Sequence, residues 1–225
     1  MTFGEKVITF YENLNISSED IPDDIEIMVP MRNDQVKMHN KMFYRKFYND
    51  QNKRIFLIGI NPGRFGGGIT GIPFTDPINL EEVLKIKNDF PKRHEVSSRF
   101  IYEVVNAMGG PEVFFCKCYL TAVSPLGFVL KNKNINYYDI EELVKKYEAQ
   151  FAIWLKHQIS FGANTNVAFS LGRGKNFKFL KDLNTKHNLF RQILAMPHPR
   201  WVMQYRYTNK AQFVDLYVKQ ITKFS

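Results

Sequence analysis

Two stretches of the 225-residue chain carry residues whose types and setting suit chemistry. The first is LIGINPGRFGGGITGIPF, residues 57–74, where an apolar run ends in Asn61-Pro62 and opens into a loop with glycines at 63, 66, 67, 68 and 71. Such a loop lets backbone approach a ligand closely. The second is MPHPR, residues 196–200, where His198 stands between two prolines directly after another apolar run. A carboxamide fixed at a chain turn can orient water or a polar ligand atom, and an imidazole can donate or accept a proton near neutral pH. The glycine loop does not have the form of a phosphate cradle. Residues 63–68 lack the G-x-G-x-x-G register, no Gly-Lys-Ser/Thr follows, and helical patterning resumes only near Asn79 and Leu80. An excursion of roughly 15 residues at a strand end is more often functional than decorative. Neither H-x-E nor C-x-x-C occurs, so no metal and no cofactor is expected. On residue types alone, Asn61 is either a turn cap or a ligand group, and His198 either a structural or a reacting side chain.

The elements that must position these residues follow from hydrophobic patterning. Apolar runs at 54–60, 113–120, 165–171 and 191–196 read as buried strands. Helical periodicity marks stretches near 4–13 and 35–48. It recurs in SSRFIYEVVNAMGG with Gly109-Gly110 as its stop, and in YYDIEELVKKYEAQFAIWLKHQI with Asp139 as N-cap. GKNFKFLKDLN and TNKAQFVDLYVKQITKF read as two more helices. Strands alternating with helices imply a parallel sheet covered on both faces, with ligands bound beyond the strands' carboxyl ends. The exits to inspect are therefore 61–63, 121–125, 172–174 and 197–200. His198 is the one histidine of five that falls at such an exit.

Composition narrows the partner. The net charge is +9, and residues 172–225 hold eleven Lys/Arg against two acids, while the preceding 171 residues are balanced. Such asymmetry fits a surface facing a polyanion, although a solvated lysine-rich face has the same composition. Arg173 and Lys175, at a glycine turn opening a helix, suit a phosphate contact. No run approaches the 18 or so apolar residues of a membrane span, so a soluble, intracellular, single-domain chain (1–225) with no membrane contact is expected. Cys116 and Cys118 share one apparent strand and read as two reduced thiols.

Residues 59–74, GINPGRFGGGITGIPF, resemble the first motif of the single-strand-selective monofunctional uracil-DNA glycosylases, a family within the uracil-DNA glycosylase superfamily. EVSSRFIYEVVNAMGGPEVFF (95–115), YLTAVSPL (119–126), LGRG (171–174) and MPHPR (196–200) are similar to later segments of that family, in order and at every strand exit. The resemblance implies a three-layer α/β/α fold with a central, mainly parallel four-stranded sheet. It also implies a monomeric DNA glycosylase without lyase activity, acting on single- and double-stranded DNA in the bacterial cytoplasm at the nucleoid. The rival is a non-catalytic nucleic-acid-binding protein on the same fold.

Carried over by resemblance, Asn61 would hold water at the sugar C1′, and His198 would donate to the departing base. Phe74 would stack under the base, with Ile60 and Gly63 offering backbone N–H groups. Residues 200–206 replace the family's wedge: Trp201, Met203 or Tyr205 would fill the gap left by a flipped base, with Arg200 and Arg206 on phosphates. The departures matter too. Ala122 stands where the family reads uracil with an Asn, Ser124 where it has Cys, and Gly67 where it has Met. These resemble the second, bacterial subfamily, associated with xanthine as well as uracil. Three replacements for the lost amide stand open: a backbone group or water, a hydroxyl from Thr121 or Ser124, or a larger pocket that admits a purine-2,6-dione.

Overall fold

The computed structural model describes residues 1–14 and 24–225. Helix α1 (Phe3–Glu12) starts at Thr2, whose hydroxyl accepts the Glu5 N–H while the Glu5 carboxylate accepts the Thr2 N–H. This reciprocal cap satisfies two donors that a helix start leaves orphaned. A short strand β1 (Ile25–Met28) leads to α2 (Asp34–Phe47), capped by Asn33, and then to β2 (Arg54–Gly59), buried at every position. The glycine loop follows. It holds one helical turn, α3 (Gly67–Thr70), and ends in α4 (Pro77–Glu82). Beyond it come α5 (Val96–Ala107), α6 (Pro111–Lys117), β3 (Cys118–Ala122), and a hairpin of β4 (Gly127–Leu130) and β5 (Lys133–Ile135). The chain closes with α7 (Glu141–Ile159), β6 (Ala163–Leu171), α8 (Lys175–His187), β7 (Ile193–Met196), α9 (Pro199–Tyr205) and α10 (Lys210–Thr222).

The central sheet has the order β3-β2-β6-β7, and every neighbouring pair is parallel. Helices flank it, as expected for an α/β/α layering. β2 and β3 are buried at every position because helices cover both faces, and β6 is buried from Val167 onward after a polar, partly exposed start at Asn164–Asn166. Among the described residues no helix is long and apolar enough to cross a membrane.

Several expectations need correction, and one element of the fold was not anticipated. The run 113–120 is not one strand. Gly109 at φ +100 follows the C-cap of α5 and ends that helix, Gly110 and Pro111 open α6 as N-cap and first residue, and only Cys118 onward pairs with β2. A short apolar run looks alike in a buried strand and a buried helix, and Phe114 and Phe115 are buried here as helical residues. Cys116 therefore lies exposed on a helix and Cys118 buried in a strand. Helical structure returns earlier than Asn79: the turn α3 starts at Gly67 within the glycine loop, and α4 starts at Pro77, where the Asp76 carboxylate accepts both the Ile78 and the Asn79 N–H. Asp139 does not cap α7. It closes a 3-10 turn, Tyr137–Asp139, by accepting the backbone N–H and the side-chain Nδ2–H of Asn136, each at 2.8 Å. Finally, a second, antiparallel sheet β1-β4-β5 was not read from the sequence. It packs on the exit of β2: a β-carbon at Gly127 would lie 2.8 Å from the Pro62 carbonyl oxygen.

The buried Arg54 ties the layers together at the other end of β2. Its guanidinium donates to the Phe115 and Asn52 carbonyls and to Asp50, between the rings of Phe3 and Tyr48 at 4.5 and 4.6 Å. At the exit end, the ring of Phe74 lies directly over Gly59, so that a β-carbon there would be 2.5 Å from Phe74 Cζ. Gly59→Ala must push the ring out of a packed site. We expect a loss of about 1–3 kcal/mol in urea denaturation, as for other overpacked cores; an unchanged midpoint would mean that the ring is not confined.

Candidate active site

All four strand exits open into one cavity of about 700 Å³. Ile60, Asn61, Pro62 and Gly63 line it from β2, Ala122 and Pro125 from β3, Gly172 and Arg173 from β6, and Pro197 and His198 from β7. This is the rim that a parallel sheet provides. Phe74 lines it too, although it lies eleven residues beyond Gly63 in the chain. Its backbone sits at φ +56, a region that a bulky residue seldom adopts. The loop holds it there: the Thr70 hydroxyl donates to the Thr75 carbonyl at 2.7 Å, and the Asn40 side chain donates to the Gly71 carbonyl.

The Asn61 carboxamide reaches away from its own turn and across to the hairpin. Its Oδ1 accepts the Tyr137 N–H at 3.1 Å and its Nδ2 donates to the Ile135 carbonyl at 3.2 Å. One donor and one acceptor on the same partner segment fix which end of the amide is oxygen. Oδ1 keeps one lone pair. The contact to the Pro62 carbonyl, at 3.4 Å, is the longer of the two that Nδ2 makes.

His198 caps α9: its Nδ1 accepts the Arg200 N–H at 3.1 Å. The proton of the neutral ring therefore sits on Nε2, which remains a donor. Burial, and then the positive charge of Arg200, push the imidazole down to a pKa of about 4, so the ring is neutral at physiological pH.

Around Ala122 the structure removes one candidate. The Thr121 hydroxyl donates to Gln158 Oε1 at 2.6 Å, inside the core. Ser124, expected in the base pocket, is fully buried off the cavity wall. Its hydroxyl donates to the Leu126 carbonyl and accepts the Leu126 N–H, closing a tight local turn. Neither hydroxyl replaces the missing amide. The polar side chains that do line the cavity include Glu95, Ser97, Asn134, Asn136, Asn176 and Gln204, none of which sequence reasoning singled out. Asn134 and Asn136 lie in KNKNIN, which reads as a polar loop. Asn176 stands two residues past Gly174 at the third exit, and that position was a usable signal.

The rim is cationic and aromatic. Arg173, Lys175 and Arg200 are exposed and line the cavity. Residues 200–206, expected as a wedge segment, form most of α9. Trp201 and Tyr205 stand one turn apart on it, 39% and 66% exposed, and both line the cavity. Trp201 is braced edge-on by Phe213, and the Arg206 guanidinium lies 4.9 Å from its ring centre. Met203 is buried at 8% exposure and is not available as a wedge. Arg206 is exposed but outside the cavity lining.

Comparison with known proteins agrees with this geometry. The family model for the uracil DNA glycosylase superfamily matches residues 45–222. The solved structure of wild-type SMUG2 from Pedobacter heparinus is similar over 99% of this chain and 98% of its own, with 40% identity and a TM-score of 0.95. A likeness of this extent makes the chain a member of the uracil DNA glycosylase superfamily, in the single-strand-selective monofunctional family that its loop motifs resemble.

Proposed function

We propose that the protein is a monofunctional DNA glycosylase that flips uracil and xanthine out of DNA and removes them by hydrolysis. The observation that carries this reading is the joint presence of Asn61, Phe74 and His198 in one cavity at the strand exits. In this reaction the bond from C1′ to the base nitrogen breaks and its electron pair leaves with the base. The sugar becomes oxocarbenium-like, water adds its oxygen to C1′, and the water proton passes to the base or to solvent. Asn61 Oδ1 orients that water. The Nε2–H of His198 donates to the base oxygen that gains charge as the bond breaks, where a preorganised donor lowers the barrier most. The ring of Phe74 is the stacking floor, worth roughly 1–3 kcal/mol per base and tolerant of base identity. Backbone N–H groups of Ile60 and Gly63 complete the donors.

Trp201 and Tyr205, projecting from one helix at the mouth, fill the space the flipped base leaves. Arg173, Lys175, Arg200 and Arg206 contact phosphates on single- or double-stranded DNA, fixing position rather than sequence. The protein acts as a monomer on the bacterial nucleoid. Xanthine enters the proposal through Ala122. A methyl group faces the base where the family has an amide, and the neighbouring hydroxyls of Thr121 and Ser124 are committed elsewhere. The wall therefore loses a uracil-selective pair and gains room.

The test is a panel of single- and double-stranded oligonucleotides carrying uracil, xanthine, hypoxanthine or 5-hydroxymethyluracil, with abasic sites revealed by alkali. Release of uracil and xanthine is expected, with no strand cleavage before alkali. Tight binding without release would favour the non-catalytic alternative.

Ala122→Asn is expected to shift the uracil-to-xanthine rate ratio toward uracil by about tenfold or more, the cost of leaving an amide unpaired against the wrong base. A rise in xanthine excision with a fall for uracil would refute the assignment.

Because the His198 ring is already neutral, kcat/KM is expected to stay flat through the ordinary histidine range and to fall only as pH approaches about 4, where a proton on Nδ1 displaces the Arg200 N–H that holds the ring in place. A proton-linked inflection near the unperturbed value of 6.5 would contradict it. Stability follows the same sign. The unfolded chain takes up this proton first, so acidification from 6.5 toward about 4 favours unfolding.

A further inference from the structure

The carboxamide of Asn61 is oriented by a segment that no strand-exit motif contains. The peptide N–H of Tyr137 and the carbonyl of Ile135 hold its two ends. Tyr137 is fully buried, and its hydroxyl donates to Asn176 Oδ1 at 2.8 Å. Asn176, at 2% exposure, turns its Nδ2 to the Gly59 carbonyl at 3.3 Å and to Ser170 Oγ at 3.4 Å. Gly59 lies two residues before Asn61. The bonds therefore close a ring: from the end of β2 through Asn176 and Tyr137 to the side chain of Asn61, and back along the chain to Gly59.

We propose that Tyr137 and Asn176 are positioning residues for hydrolysis. The proposal rests on the reading that Asn61 holds the attacking water. A free asparagine amide can rotate and present its NH₂ edge, which offers water no acceptor. Here Nδ2 is committed to Ile135, and Oδ1 keeps its second lone pair. Ring packing confines Tyr137, and its hydroxyl, anchored through Asn176 to the exits of β2 and β6, ties the height of the Tyr137 peptide to the central sheet. The Asn136–Asp139 cap shapes the 3-10 turn locally, but makes no bond to the central sheet. Angular error at such a group is costly, because misplacement of about 1 Å can slow a reaction about 100-fold.

Tyr137→Phe is a clean probe. The ring keeps its place among Tyr138, Phe151 and Phe179, each with its centroid 5.1 Å away, and the turn keeps its cap. The experiment measures single-turnover uracil release at saturating enzyme and DNA affinity by fluorescence anisotropy. It compares the wild type, Asn61→Ala, Tyr137→Phe, Asn176→Ala and the double variant Asn61→Ala/Tyr137→Phe, each first checked for folding by thermal melting.

Tyr137→Phe is expected to slow release about 10- to 100-fold with DNA affinity unchanged, and Asn176→Ala to do the same. The double variant should be no slower than Asn61→Ala alone, since the effect passes through that side chain. Should Tyr137→Phe not fold, Asn176→Ala carries the same test from the other end of the bond. Wild-type release by both variants beside an inactive Asn61→Ala would overturn the positioning role and leave the Asn61 reading standing. Wild-type release by Asn61→Ala would overturn that reading and the proposal with it. Equal slowing by Tyr137→Phe with and without Asn61 would show a general structural effect and also refute the proposal.

Discussion

The ring of Phe74 occupies the space that a side chain at position 59 would need, and much of the site follows from that contact. A strand that ends under an aromatic face must end in glycine. The chain must also leave β2, travel fifteen residues and come back, so the loop needs internal structure. The turn of α3 supplies some of it, and Gly71 at φ +69 reverses the path where a β-carbon would strike Met31 and Val36. The fully buried carboxylate of Asp76 then gathers the Ile78, Asn79 and Glu95 N–H groups, pinning the loop's end to the start of α5. An unpaired carboxylate in that place would be very costly, and the backbone donors are what make its burial tolerable. The left-handed backbone at Phe74 is held by these surroundings, not by its own preference.

The charges are arranged around this floor in two zones. Asn61 and His198 themselves carry no formal charge, since the imidazole is neutral and the amide always is, while the Glu95 carboxylate on the cavity wall accepts the Ser98 N–H. The cations, Arg173, Lys175 and Arg200, stand exposed at the rim. Such a division suits a polyanionic ligand with a neutral reacting part, because rim cations meet phosphates in high dielectric without paying to enter the cavity. Arg200 contributes twice. Its guanidinium helps keep His198 deprotonated, and its peptide N–H fixes the ring's tautomer by occupying Nδ1. Replacing the side chain alone would alter the first effect and leave the second.

Much of this was legible in the sequence because the central sheet is parallel. Its four strands end in buried, mostly apolar stretches whose exits are marked by Pro and Gly, so Asn61, Ala122, Arg173 and His198 could be assigned to one rim without coordinates. What stayed hidden has physical causes. The hairpin strands are three and four residues long, too short for a period to register, and their turn at Lys131-Asn132 uses left-handed backbone in residues other than glycine. The segment 113–117 looked extended because three apolar residues in a row carry no period. The direction of Thr121 and Ser124 was invisible, since it depends on Gln158, 37 residues away, and on a local turn at Leu126. Met203 belonged to the same uncertainty: helix α9 turns it inward while Trp201 and Tyr205 face out.

The hairpin explains how a common rim becomes a particular site. Parallel α/β sheets offer strand exits to many ligands, and the exits alone do not say which end of an amide faces inward. In this chain β4 and β5 fold back over the exit of β2, with Gly127 admitting the close approach to Pro62. They bring Ile135 and Tyr137 to Asn61 and line the cavity with Asn134 and Asn136. Asn134 also accepts the Arg64 N–H, so the hairpin grips both ends of the Asn61–Arg64 turn. The central sheet thus fixes where Asn61 starts, and the second sheet fixes where its side chain points. A mutation at the hairpin can therefore act on the Asn61 carboxamide without touching the loop that carries the motif.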